Sequence, residues 1–207
     1  AGPLVQPFSS FAHTDYAWLW HFTVSAGASG LLILAWTLRS RAISPALTLG
    51  LAVTGAGLAT AGVCPADLWF PWERSPTFGG GLHVGAVAIA IVALSVAIAV
   101  RSRSLPMHSS RHWCRAGEVA YWGAVLGGVV YLGAGAVSGR PPHLFGLWER
   151  LVLGSAWAWS IFLAAGALAL DADDPSLHLP ANKTSEPASA AAALAAQGQR
   201  RSAKRRG

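Results

Sequence analysis

A chain of 207 residues that is 53% hydrophobic and only 12% charged lies far below the roughly 25% charged residues of a soluble domain, which excludes an ordinary water-soluble fold. The net charge of +6 does not signal nucleic-acid binding, because no nucleic-acid motif accompanies it and the arginines sit in short loops and at the C-terminus. One helical membrane domain and a tail account for the whole length.

Residues 1–16 carry Ser9, Ser10, His13 and Asp15 and lack the basic, apolar and cleavage regions of a signal peptide. Five apolar stretches follow, over about residues 17–38, 45–63, 81–100, 116–137 and 147–170. Each has about twenty residues, the length at which an α-helix crosses the roughly 30 Å hydrocarbon core of a bilayer. The expected fold is all-α, a polytopic transmembrane helical bundle of about five spans.

The first span begins with Trp18, Trp20 and His21 and ends near Trp36 and Arg39, an aromatic-belt pattern. Pro45 stands near the first turn of the second span, where its missing N–H is harmless. Small residues let helix backbones approach closely in lipid. Gly50, Gly55, Gly57 and Gly62 in the second span, Gly123, Gly127 and Gly128 in the fourth, and the GxxxG pairs Gly81–Gly85 and Gly123–Gly127 are therefore read as packing surfaces within the bundle. A homo-oligomer is not implied by them. Ser95 is expected to back-bond its own helix, and Ser155 and Ser160 to bond between helices.

The loop charges give a direction. Arg39 and Arg41, then Arg101, Arg103, Arg111 and Arg115, then the basic end Arg200–Arg206 fall on one side, which should be cytoplasmic. The N-terminus is then outside and the C-terminus inside the cell membrane. An outside N-terminus without a signal peptide, in a chain that starts at Ala1, leads us to expect an upstream helix and a six-span parent. Residues 171–207 are rich in Asp, Pro, Ser, Ala and Arg and poor in large apolar residues. They are expected to form a disordered basic tail. The sequon at Asn182–Thr184 falls on the cytoplasmic side and is read as fortuitous.

Nearly all the acids of the spanning region fall at the opposite, outer end; Glu118 is the exception. Four elements bring ionisable groups there: Asp15 before the first span, Asp67 after the second, His83 opening the third, and Glu149 with Arg150 opening the fifth. Ionisable groups at membrane depth usually face a bundle interior or a wet cavity. Asp67, His83, Glu149, Arg150 and Asp15 are therefore the expected ligand-binding residues, with a His83–Asp67 pair and an Arg150–Asp67 pair as candidate contacts. Capping of helices and tying of loops is the competing role for Asp67 and Glu149. His83, Asp67, Glu149 and His13 contain ligand types for a metal, but no HxxxH or HExxH spacing supports one, so none is assigned. His21 and His83 as axial haem ligands have no further support, and no cofactor is implied. Cys64 and Cys114 make no CxxC pair and fall on opposite faces, so no disulfide is expected. No G-x-S-x-G, Walker or dinucleotide motif occurs.

Gly62-Val-Cys-Pro-Ala-Asp67 closing one helix, Gly81-Leu-His83 opening the next and Gly146-Leu-Trp-Glu-Arg-Leu151 opening the last resemble the DUF998 family of small bacterial membrane proteins of unknown function. The resemblance covers roughly residues 5–170. Cys64 stands where that family commonly has an aromatic residue. It implies a helical bundle of about six spans, one more than here, and no established reaction.

Three functions are compatible with this pattern. One is a membrane protein that binds a lipid or small molecule at an outward polar pocket, with membrane lipids as partners. The second is a membrane-embedded hydrolase or transferase using His83 with Asp67 or Glu149 as base. The third is a small transporter, which is disfavoured because transporters carry charges near the midplane on broken helices. Convergence of His83, Asp67 and Glu149 within hydrogen-bond reach favours the enzyme; commitment of each to a cap or loop favours binding.

Overall fold

The structure is a computed structural model that describes residues 8–41, 43–68, 73–104, 111–139 and 144–172. A short 3-10 helix, Phe8–His13, precedes five α-helices: α1 (Ala17–Ser40), α2 (Pro45–Val63), α3 (Phe78–Ser104), α4 (Arg111–Ser138) and α5 (Phe145–Ala172). All five are long and apolar enough to cross a membrane, and this is a multi-pass membrane protein. The chain divides after Ala167; of the second unit only the end of α5, Leu168–Ala172, is described. The expected tail, apart from Asp171 and Ala172, lies outside the described residues, as does the sequon.

In lipid every backbone polar group must be satisfied internally, so the helix ends matter. The Ser44 hydroxyl accepts from the Leu47 N–H at 3.5 Å ahead of Pro45. At the start of α3 the Thr77 hydroxyl accepts from the Gly80 N–H at 3.0 Å, an N-cap. Gly139 follows α4 at φ 64°, the left-handed conformation that glycine adopts without strain. The connection into α5 is tied by the Leu144 N–H, which donates to the Tyr131 hydroxyl at 2.7 Å.

Short connections make successive helices antiparallel, and contacts confirm the order. α2 packs on α1 and α3 through small residues. A Cβ at Gly50 would stand 2.9 Å from the Ala93 carbonyl oxygen, and one at Gly57 2.8 Å from that of Ala86. Gly55 lies against Ala28 and Leu32, and Gly62 against Val24. α4 and α5 pack through aromatic side chains instead. Trp159 lies against Gly117 and Trp148 against Gly128, while Trp157 reaches Gly27 of α1. The Arg41 guanidinium donates to the Ala167 carbonyl at 2.7 Å. These contacts close α5 back onto α1.

Three expectations need correction. Gly81, Gly85, Gly123 and Gly127 have nothing within 4 Å of a Cβ position, so neither GxxxG pair packs inside the bundle; both face outward. Ser155 bonds the Leu151 and Val152 carbonyls at 2.7 and 3.0 Å, and Ser160 that of Ala156 at 2.8 Å. Both hydroxyls back-bond their own helix rather than bridging to another, because they sit one turn from carbonyls that are closer than any neighbouring helix. Trp18 and Trp36 are exposed as a belt requires, but Trp20 is buried.

The largest fully buried side chains are Trp159, Tyr121, Leu38, Leu47, Leu51, Ile98, Leu163 and Cys114. All lie toward the end of the bundle that carries Arg101. There Arg101 and Glu118 form an ion pair at 2.8 Å between α3 and α4, with only 5% and 16% of their side chains exposed. Cys64 and Cys114 are both free thiols.

Candidate functional site

The half of the bundle that carries His83 is hollow. A cavity of about 440 Å³ is lined by residues of all five helices, the α2–α3 connection and the 3-10 helix. Its wall runs from Trp20 to Leu31 on α1, from His83 to Leu94 on α3, from Tyr121 to Leu132 on α4 and from Glu149 to Ser160 on α5. Each stretch is about eleven residues, hence about 16 Å along the helix axis. That is about half of the roughly 30 Å hydrocarbon core.

The polar groups of the lining are sorted by depth. Thr54, Tyr121 and Ser160 lie deep, and each hydroxyl is committed to a carbonyl: Thr54 to Gly50 at 2.7 Å, Tyr121 to Ile91 at 3.0 Å, Ser160 to Ala156 at 2.8 Å. Ser95 also reaches the Ile91 carbonyl at 2.8 Å, as its sequence position suggested, and bonds the Tyr121 hydroxyl at 3.1 Å. The deep wall is therefore effectively apolar. Ser9, Asp67, His83 and Glu149 gather at the other end, and no lysine or arginine is among the described lining residues.

His83 is 5% exposed. Its Nδ1 lies 3.0 Å from the Ala61 carbonyl oxygen and 2.8 Å from that of Cys64. Both partners are acceptors, so Nδ1 carries the proton and donates to them. These carbonyls belong to the end of α2, where the last turn has no intrahelical donors. His21 does the same from α1, with Nδ1 donating to the Gly62 carbonyl at 3.0 Å. In the neutral ring Nε2 of His83 is then a hydrogen-bond acceptor, and it has no partner among the described residues. Trp20 covers the ring with centroids 6.2 Å apart.

Asp67 accepts from the Thr77 N–H at 2.9 Å and the Thr77 hydroxyl at 2.7 Å. It holds the N-cap of α3 and fills the space that a Cβ at Gly80 would need, so a glycine is required there. It bonds neither His83 nor Arg150. The Glu149 carboxylate accepts from the Ser9 N–H at 3.3 and 3.4 Å. His13 Nε2 donates to the Ala66 carbonyl at 2.6 Å. The 3-10 helix is thus strapped between α5 and the α2–α3 connection, both of which line the mouth.

Of the residues singled out from sequence, Asp67, His83 and Glu149 line one cavity. Arg150 donates to the Gly146 carbonyl at 2.8 Å in its own helix and does not line the cavity; nor does Asp15, which is exposed. His21 faces a separate shallow groove between α1 and α2 with Gly62 and Val63, so the two imidazoles proposed as axial ligands do not share a site. Among the described residues no three of His, Cys, Asp and Glu stand together as a metal site. Sequence reasoning missed the cavity walls, Trp148, Trp157 and Tyr121 above all. The only available signal was the burial stripe Trp20–Val24–Leu31 at helical spacing.

Residues 1–166 match the family described as protein of unknown function, DUF998. The chain belongs to the DUF998 family. The matched stretch includes every residue of the cavity lining, so the hollow half of this DUF998 protein lies wholly within its family region. No curated protein and no solved structure matches the chain.

Proposed function

We propose that this DUF998 protein sits in the cell membrane with the His83 end outward, and that it binds one chain of an amphiphilic molecule drawn from the outer leaflet. The observation that carries this reading is the match of depth and polarity. The cavity is about one leaflet deep, its deep wall is apolar, and its polar groups stand only at the mouth. A chain entering from the leaflet places its tail among Leu94, Val125 and Ala156 and its head beside His83. The arginine-rich loops support the orientation, with residues 1–16 outside and 171–207 as a cytoplasmic tail.

Binding is favoured over hydrolysis because a general base needs to be held by hydrogen bonds, and Asp67 and Glu149 are committed to Thr77 and Ser9 instead. The test is photo-crosslinking in lipid nanodiscs with a fatty amphiphile that carries a diazirine at the chain end. Peptide mapping is expected to find label at Leu94, Val125 and Ala156. Val125→Phe, which fills the cavity, should remove it. Label spread evenly over outward residues such as Val92, Val130 and Ile161, and unchanged by Val125→Phe, would sink the proposal.

A further inference from the structure

The lining of the mouth carries a chemical preference that the family description leaves open. Resting on the single-chain reading above, we infer that the head of the bound amphiphile is a hydrogen-bond donor without anionic charge: a hydroxyl or ammonium head, not a phosphate or carboxylate. Three observations carry this.

First, His83 is 95% buried by its 5% exposure, and its Nδ1–H is taken by the Ala61 and Cys64 carbonyls. Nε2, on the far side of the ring from Nδ1, faces away from α2. Buried polar atoms are almost always partnered, and Nε2 has no partner among the described residues, while the ring lines the cavity. A neutral Nε2 can only accept, so its ligand partner must donate. Second, the ionisable groups that share the lining are the carboxylates of Asp67 and Glu149. Each already accepts hydrogen bonds and has oxygen lone pairs to accept more. Third, no described lysine or arginine lines the cavity to balance an anion; Arg74 is exposed and Arg150 bonds back into α5. A phosphate head would meet two like charges in a site of low dielectric, where repulsion is stronger than in water. The mouth thereby discriminates against the anionic phosphate that phospholipids carry, by repulsion as well as by attraction of donors.

The experiment uses the full chain in nanodiscs and three competitors with one dodecyl chain: dodecylamine, dodecanol and dodecyl phosphate, each displacing the diazirine probe at equal mole fraction. The amine and the alcohol are expected to displace it at least about tenfold more effectively than the phosphate, the factor that about one hydrogen bond supplies. An advantage of amine over alcohol assigns an ammonium head, and parity of the two assigns a hydroxyl. Asparagine keeps an N–H for the α2 carbonyls but withdraws the Nε2 acceptor. His83→Asn is therefore expected to weaken the amine and alcohol about tenfold and leave the phosphate unchanged. Equal displacement by all three heads, or a stronger phosphate, overturns the head assignment while leaving the cavity reading intact. Displacement by none of the three removes the cavity reading and this inference with it. The head series on the unaltered chain decides the question even where His83→Asn fails to fold.

Discussion

The two halves of the bundle are built from the same five helices and similar apolar residues, yet one is solid and the other hollow. In the Arg101 half, Leu38, Leu47, Leu51, Ile98, Trp159 and Leu163 are all fully buried against one another. In the His83 half the same helices enclose about 440 Å³. Side-chain size distributes this difference. Glycine and alanine along α2 hold α1, α2 and α3 close throughout, while the indoles of Trp148 and Trp157 stand α5 off from α4 and α1. Toward Arg101 the space so opened is filled by Trp159 and Tyr121; toward His83 it is left. Apolarity alone therefore does not make a core: close packing requires that volumes match.

This contrast can be broken most directly by truncating one leucine of α5 in each half. Leu163→Ala leaves a void in the solid half and is expected to lower stability by about 2–5 kcal/mol. Leu153→Ala only widens an existing cavity and should cost well under half as much. Thermal or denaturant unfolding in detergent measures both, and equal losses would remove the distinction. Gly57→Ala tests the close seam. Its Cβ meets the Ala86 carbonyl oxygen at 2.8 Å, backbone that cannot rotate away, so a loss of about 1–3 kcal/mol is expected. The smallest effect belongs to Gly127→Ala, where nothing lies within 4 Å. It should change stability by no more than about 0.5 kcal/mol, the usual range for a substitution away from packing features. A loss as large as that of Gly57→Ala would show that the outward GxxxG face of α4 is packed after all, against a second copy.

Some of the site was legible in the sequence and some was not, for reasons that differ by residue. His83 stood out because an imidazole opening a purely apolar helix is costly unless it has a role. Asp67 and Glu149 stood out as acids at one depth, and all three do line one cavity. Their partners were misjudged. Sequence suggested that Asp67 would meet His83 or Arg150; instead Thr77, beside the start of α3, offers it two donors from a single residue. Local donors ahead of a helix are within reach before any tertiary contact forms, which is why they win. The 3-10 helix strapped by Ser9 and His13 was invisible, since neither residue has a partner within the local sequence. The GxxxG pairs misled because spacing puts two glycines on one face of a helix without saying which way that face points.

The sequence by itself determined that the chain is helical and crosses the membrane several times, because about twenty apolar residues in lipid have few other ways to satisfy their backbone. It also determined that ionisable groups collect at one end. Only the tertiary structure decided that Asp67 and Glu149 hold loops, that the Nδ1 of His83 closes α2, and that the space beside them stays open. Those outcomes depend on which faces of five helices meet, and a face is fixed by the fit of side-chain volumes across the whole bundle, not by any one stretch of chain.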